Sequence, residues 1–325
     1  MHQDSASPAK RFAFLLLEKF SLIAFAATIE PLRMANRQAG KTIYTWRILS
    51  ETGEPVACSN GARIEVDGGL VPLERDETVL VCGGVGIRQT STKGVLAWIR
   101  REARKGVDVG GICTAAQTLA MAGLLDGRSC TIHWENRDGF REEYPEIELE
   151  QTIFVIDRGR MTASGGTAPT DLMLKLIADA HGPDLAAQVA DGLIHPSVRS
   201  ERDEQRMSIP TRIGVRHPKL AAVIKRMEDN IEEPVSPSIL AKEIGMSTRQ
   251  LERLFRRYLN RSPKRYYMEL RLNRARNLLV QTDMSVIQVA LACGFASPSH
   301  FSKCYRAQFE TTPYRERGAA AAGQL

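Results

Sequence analysis

Two rhythms of apolar residues divide this chain of 325 residues. In the first half, RFAFLLL (11–17) is a continuous apolar run, as a strand buried on both faces requires, TVLVCGG (78–84) reads as another buried strand and residues 107–112 as a third. Residues 21–36, 95–104 and 167–181 have helical spacing instead, the last closed by Gly182. A further helix runs through Leu119 and Met121 after the third strand. Residues 129–133 read as a short strand, and residues 153–156 and 160–163 as a hairpin. Strands alternating with helices predict an α/β domain over residues 10–194, a flavodoxin-like parallel sheet flanked by helices.

Residues 195–216 are polar and aperiodic and read as a linker. Beyond them the spacing is helical throughout, near 218–231, 237–244, 248–259, 263–280, 285–293 and 298–309. Ser236–Pro237, Ser262–Pro263 and Ser297–Pro298 each pair an N-cap hydroxyl with a proline at the first helical position. There the missing N–H does no harm and φ is preset. This second domain, residues 217–317, is expected to be all-α, and the tail GAAAAGQL (318–325) is expected to fray.

The second domain contains a near-repeat. AKEIGMSTRQLERLFRRYLNRSP (241–263) is matched by ALACGFASPSHFSKCYRAQFETTP (290–313). Each copy is a short apolar helix, a turn containing glycine, and a longer helix with one apolar and one basic face. That is the sequence form of a helix-turn-helix, and two in one chain suggest a reader of successive major grooves. Leu251, Leu254, Phe255 and Tyr258 form the buried stripe of the first copy, and Phe301, Cys304, Tyr305 and Phe309 that of the second. Residues early in such a helix reach base edges, so Thr248, Arg249, Gln250 and Arg253, with Ser299, His300 and Lys303, are assigned to bases. Arg256, Arg257 and Arg306 are assigned to phosphates. A solvated charged face is the plain alternative for one such helix, but doubling it favours DNA.

Charge sharpens this picture. Residues 195–325 hold 23 Lys+Arg against 13 Asp+Glu, a net +10, while residues 1–194 hold 21 against 25, a net −4. The basic part is the part with the repeat, and such a field draws a polyanion. The six cysteines form no C-x-x-C pair, which suits reduced thiols rather than disulfides or a zinc site, and no metal or cofactor is expected. No apolar run approaches membrane-spanning length and no signal sequence is evident, so a cytoplasmic protein without a membrane partner is expected.

ILAKEIGMSTRQLERLF, RSPKRYY and SVIQVALACGFASPSHFSKCYRAQF resemble the DNA-binding domain of the AraC/XylS family over residues 219–313. The resemblance implies seven helices, two recognition helices joined by a long central helix, and transcriptional control through contact with RNA polymerase. The family's usual Gly-x-Ser-Pro is here Glu310-Thr311-Thr312-Pro313, which leaves the last helix open.

In the first half, Cys113 stands where a strand meets a helix, the place of a nucleophile elbow, and a helix N-terminus favours thiolate. Gly83 and Gly84 could offer N–H groups to an anion, and His133 ends the next strand. Each also has a plain reading as core cysteine, packed histidine or tight turn. FLLLEKFSL, VLVCGG, GGICTAAQTLAMAGLLDGRSCTIHW and TASGGTAPTDLML resemble the PfpI-like, class I glutamine amidotransferase-like domain. The resemblance puts the elbow cysteine on Cys113, a carboxylate that can hydrogen-bond it on Glu30, and the Thr-x-His-Trp motif on residues 131–134. Thr114 stands where proteolytic members have histidine, and a cysteine without an adjacent base is a poor nucleophile for amide cleavage.

The order of the two domains resembles the GlxA-type regulators, and IEPLRMAN, SGGTA and TRIGVRHPKL resemble their arginine-, carnitine- and betaine-responsive branch. That implies a homodimeric regulator, an activator, whose sheet domain binds a small amine effector. An aromatic wall and a carboxylate suit such a ligand, so Trp46, Trp134 and Glu30 join Gly83, Gly84, Cys113, Thr114 and His133 as pocket candidates. The rival readings are a hydrolase or amidase, or a thiol redox sensor, both using Cys113.

Overall fold

A computed structural model describes residues 8–321, and the chain divides into two compact units, residues 1–205 and 206–325. In the first unit the elements run β1 (Lys10–Leu16), α1 (Leu22–Ala39), β2 (Tyr44–Leu49), β3 (Val56–Ala57), β4 (Arg63–Ile64), β5 (Glu77–Cys82), α2 (Ile87–Thr90) and α3 (Lys93–Arg104). They continue with β6 (Asp108–Ile112), α4 (Ala116–Met121), β7 (Ser129–Cys130), α5 (Arg137–Glu143), β8 (Glu148–Leu149), β9 (Phe154–Asp157), β10 (Arg160–Ala163), α6 (Ala168–His181) and α7 (Pro183–Gly192).

The central sheet has the order β2-β1-β5-β6-β10-β9. All neighbours are parallel except the hairpin β10–β9. Setting aside the edge hairpin strand, this is the flavodoxin-like order, whose ligand crevice lies beyond the carboxyl ends of the strands. β5 is buried at all six positions, which explains the apolar run from Val79 to Cys82 within it. One core packs Phe12, Phe14 and Leu16 against α1 and α6. The other packs Ala13, Leu15 and Val81 against α3 and α4.

The sequence reading missed β2 and α7. It also made the strand at 129–133 too long, since only Ser129–Cys130 pairs. Gly182 does close α6, at φ 91°, and Pro183 begins α7 directly.

The second unit holds α8 (Ile209–Ile213), α9 (Pro218–Asp229), α10 (Pro237–Glu243), α11 (Thr248–Leu259), α12 (Pro263–Gln281), α13 (Val286–Ala292), α14 (Pro298–Phe309) and α15 (Pro313–Ala321). From α9 on, that makes the seven helices expected among the described residues. The three Ser–Pro starts behave as expected: the Ser236, Ser262 and Ser297 hydroxyls accept from the N–H of Ile239, Arg265 and His300. The last helix, left open by the departure at 310–313, forms. Part of the tail expected to fray is helical in α15, and residues 322–325 lie outside the described residues.

Residues 195–216, read as a linker, are divided between the units. Residues 195–205 lie along the first unit. Asp203 O accepts from Ile153 N–H at 3.0 Å, and the Gln205 amide donates to Thr131 Oγ1, Ile132 O and Thr152 O at 2.9–3.0 Å. Residues 206–216 include α8, and Arg212 pairs with Glu228 of α9 at 2.9 Å. The polar composition that suggested a free connector satisfies partners distant in sequence.

Candidate nucleic-acid interface and elbow site

α11 and α14 are the second helices of the two motifs. The Ser247 hydroxyl accepts from Gln250 N–H at 3.2 Å, while Gln250 Oε1 accepts from Ser247 N–H at 2.8 Å. This capping box fixes the start of α11. Leu251 and Phe255 are buried in one core with Val223, Ile224 and Leu240, and Phe301 and Tyr305 in another with Leu278 and Val289. The assigned side chains, Thr248, Arg249, Gln250, Arg253, Arg256, Arg257, Ser299, His300, Lys303 and Arg306, are all exposed.

The basic residues of this unit differ in what they meet. Arg212, Arg226, Arg261, Arg265 and Arg276 are each paired with a glutamate. Among the described residues, Arg249, Arg253, Arg256, Lys303 and Arg306 have no internal ion pair or side-chain hydrogen bond, and Arg257 only lies over the Tyr258 ring at 5.4 Å. Cations left unpaired on one face of two recognition helices are available to phosphates and base edges. Two assigned side chains are partly engaged within the chain. Gln250 gives its oxygen to the capping box, and His300 Nε2 lies 3.4 Å from Cys304 Sγ.

In the first unit β6 ends at Ile112 and Cys113 takes φ 63°, the left-handed region that costs a residue with a Cβ. This is the expected elbow. The local fold imposes it: Cys113 N–H donates to Ala163 O at 2.9 Å, and Cys113 O accepts from His133 N–H at 3.2 Å. The thiol is buried, and burial pushes its pKa up to about 12 against the pull of the Thr114 N–H, with Glu135 raising it further. Burial likewise holds His133 below the usual imidazole range, with Glu135 opposing. Both groups are therefore neutral near pH 7. Among the described residues no hydrogen bond joins the Cys113 thiol to the His133 imidazole or to the Glu30 carboxylate.

The resemblance offered Glu30 as the partner of the thiol, but its carboxylate takes the Arg33 guanidinium at 2.6 Å. Gly83 N–H donates to Ile112 O at 3.2 Å, and a Cβ at Gly84 would overlap Lys19 O. The Gly83 N–H is thus taken up within the turn, and Gly84 is required for its close packing against Lys19 and Phe20. The Thr114 hydroxyl donates to Gly84 O at 2.8 Å. Trp134 lies beside His133, with ring centroids 5.8 Å apart. Trp46 is elsewhere: it is level with Phe12 and Thr78, four residues back from Leu16, Cys82 and Ile112, so about 13 Å along the strands from their carboxyl ends. It lines a separate cleft of about 360 Å³ with Arg11, Arg47, Glu74 and Glu77.

The sequence reading did not single out Gly165. A Cβ there would stand 2.9 Å from Cys113 Sγ and 2.7 Å from His133 Cδ2, so only glycine lets the two groups face one small space. The SGG run carried that signal. Among the described residues no group of three or more His, Cys, Asp or Glu is arranged to hold a metal, and no helix is long and apolar enough to cross a membrane.

Residues 10–179 match the DJ-1/PfpI family and residues 240–319 match the Helix-turn-helix domain. The chain is 46% identical to the HTH-type transcriptional regulator GbdR of Pseudomonas aeruginosa, over 96% of this chain and 85% of that one. It is 47% identical to the HTH-type transcriptional regulator CdhR of the same organism, over 94% and 91%. A crystal structure of an AraC family transcriptional regulator from Pseudomonas putida superimposes with TM-score 0.51 and 28% identity, covering 57% of this chain and 100% of that one.

Proposed function

This chain belongs to the GlxA-type, AraC-family HTH transcriptional regulators that join a DJ-1/PfpI domain to a helix-turn-helix domain, and on that footing we propose that its first unit is a metabolite sensor, not an enzyme. The carrying observation is the state of Cys113. A thiol with its pKa pushed up to about 12, no hydrogen-bonded base and a neutral histidine nearby lacks what nucleophilic catalysis needs.

The space shared by Cys113, His133, Thr114 and Trp134 then takes a small effector, an amine of the arginine, carnitine or betaine type. Trp134 supplies the aromatic face for a cation. The first unit also pairs two copies, because a two-fold dimer matches a repeated operator. In the cell the protein acts in the cytoplasm and raises transcription by contact with RNA polymerase. Effector shifts output by preferring one state of the chain, in proportion to its differential affinity.

A thermal-shift screen against arginine, carnitine, glycine betaine and related amines tests the reading, since a ligand of the folded state raises the melting point by mass action. Cys113→Ser is expected to keep both the shift and operator binding. Turnover of an amide substrate by the unmodified chain, lost in Cys113→Ser, would establish the hydrolase instead. A promoter response to peroxide and to no amine would establish the redox sensor.

A further inference from the structure

Two side chains of the central helix α12, one turn apart, hold the two helix-turn-helix motifs. The Tyr267 hydroxyl donates to Asn230 O and accepts from Val235 N–H at 3.3 Å, so it grips residues 230–235, the lead into the first motif. Four residues on, Arg271 grips the turn of the second motif. Its Nε donates to Cys293 O at 2.7 Å and its Nη2 to Gly294 O at 2.6 Å. These carbonyls follow the C-terminus of α13, where a cation is favoured.

The same guanidinium lies over the Phe295 ring at 4.1 Å. Phe295 is buried and packs on Phe301 at 5.1 Å and beside His300 at 6.0 Å, both in the first turn of α14. The grip on the turn is thereby passed to the start of the recognition helix. The two gripped segments also touch each other. Gly294 has φ 74°, and a Cβ on it would stand 2.7 Å from Ile231 O and Glu232 O, so the lead of one motif rests on the turn of the other.

We propose that Arg271, with Tyr267 beside it, is a positioning residue that sets the mutual orientation of α11 and α14, and so the spacing between the half-sites that the chain accepts. The proposal rests on the DNA-binding reading. Arg271 does not read DNA; its bidentate, stacked geometry is one that lysine cannot reproduce. Loss of it frees the turn before α14 while α11, capped and packed separately, stays in place.

The test begins with operators selected from random duplex by the full-length chain. Their two half-sites are then moved apart or together by one and two base pairs. The unmodified chain is expected to lose at least tenfold in affinity on each change of spacing. Arg271→Lys should bind the original operator more weakly, lose protection of the α14 half-site first, and show a spacing penalty of threefold or less. Tyr267→Phe, which removes one hydroxyl and keeps the ring in the core, should relax the spacing in the same direction, and it carries the test alone if Arg271→Lys does not fold. A uniform loss of affinity, with the spacing penalty intact in the folded variants, overturns the proposal. Failure of the unmodified chain to select any sequence overturns the DNA-binding reading, and this proposal with it.

Discussion

Glu310 ends α14 at φ 59°, a left-handed C-cap that a side chain with a Cβ occupies at a cost. Asn260 ends α11 in the same conformation, at φ 52°, with a residue type that tolerates it better. Glu310→Gly should therefore stabilise the second unit by roughly 1 kcal/mol, seen as a higher urea midpoint with unchanged slope. A lower midpoint would mean that Glu310 makes a contact outweighing the backbone strain. The buried thiols make a second residue-scale prediction. Cys113 and Cys130 are both held up to about 12 by burial, from 9.0. The folded chain then keeps protons that the unfolded chain loses, so stability falls as pH rises from about 9 toward about 12. The slope is about 1.4 kcal/mol per pH unit for each thiol. Cys113→Ser removes one such group. Between pH ~8 and pH ~10 it should lose about 1 kcal/mol less than the unmodified chain by urea unfolding, and equal losses would contradict the burial of the thiol.

At the scale of elements, the recognition helices were the most legible part of the sequence. The Ser–Pro start of α14 and the apolar stripes and basic faces of both helices are local signals, and local signals survive into the structure. The central strands were legible because burial on both faces leaves an unbroken apolar run. β2 was not, because Arg47 interrupts it; only the fold brings Glu77 within 2.9 Å of that guanidinium. The elbow at Cys113 was legible as a position, but its chemistry was not. Burial of the thiol, the turning of Glu30 to Arg33 and the closeness of Gly165 all depend on packing. The interface makes a prediction that separates its two kinds of residue. Arg249→Ala should cost about 1–3 kcal/mol on the selected operator and relax base choice at one position. Arg256→Ala should weaken all sequences alike and reduce the salt slope by about 1. Footprinting and salt titration distinguish them, and identical behaviour of the two variants would reject the assignment.

At the scale of the whole molecule, the start of the segment joining the acidic and basic units is held by a buried carboxylate, that of Asp171. The side chain of Asp171 has no solvent exposure, and it accepts from Arg199 N–H at 2.7 Å and Arg199 Nη2 at 2.7 Å, with His195 Nε2 at 2.9 Å. Gln205 anchors the far end on Thr131 and Thr152. Nothing in the local pattern of residues 195–205 announces this order, because its partners lie up to 74 residues away. A segment with so few apolar contacts opens at a free energy set by these bonds, well below that of global unfolding. Asp171→Asn keeps the shape and removes the charge, leaving Arg199 with an uncharged partner, at a cost of roughly 2 kcal/mol given the guanidinium's partial exposure. Trypsin cleaves after arginine, and Arg199, Arg202 and Arg206 all fall in or next to this segment. Cleavage there should accelerate about tenfold or more in Asp171→Asn while sites within α12 stay protected, because exposure follows the population of the open segment. The released C-terminal fragment keeps the basic unit, so it should still be retained on duplex DNA at low salt, whereas the acidic N-terminal fragment should not. Cleavage rates equal to those of the unmodified chain would show that the segment is held by something other than Asp171.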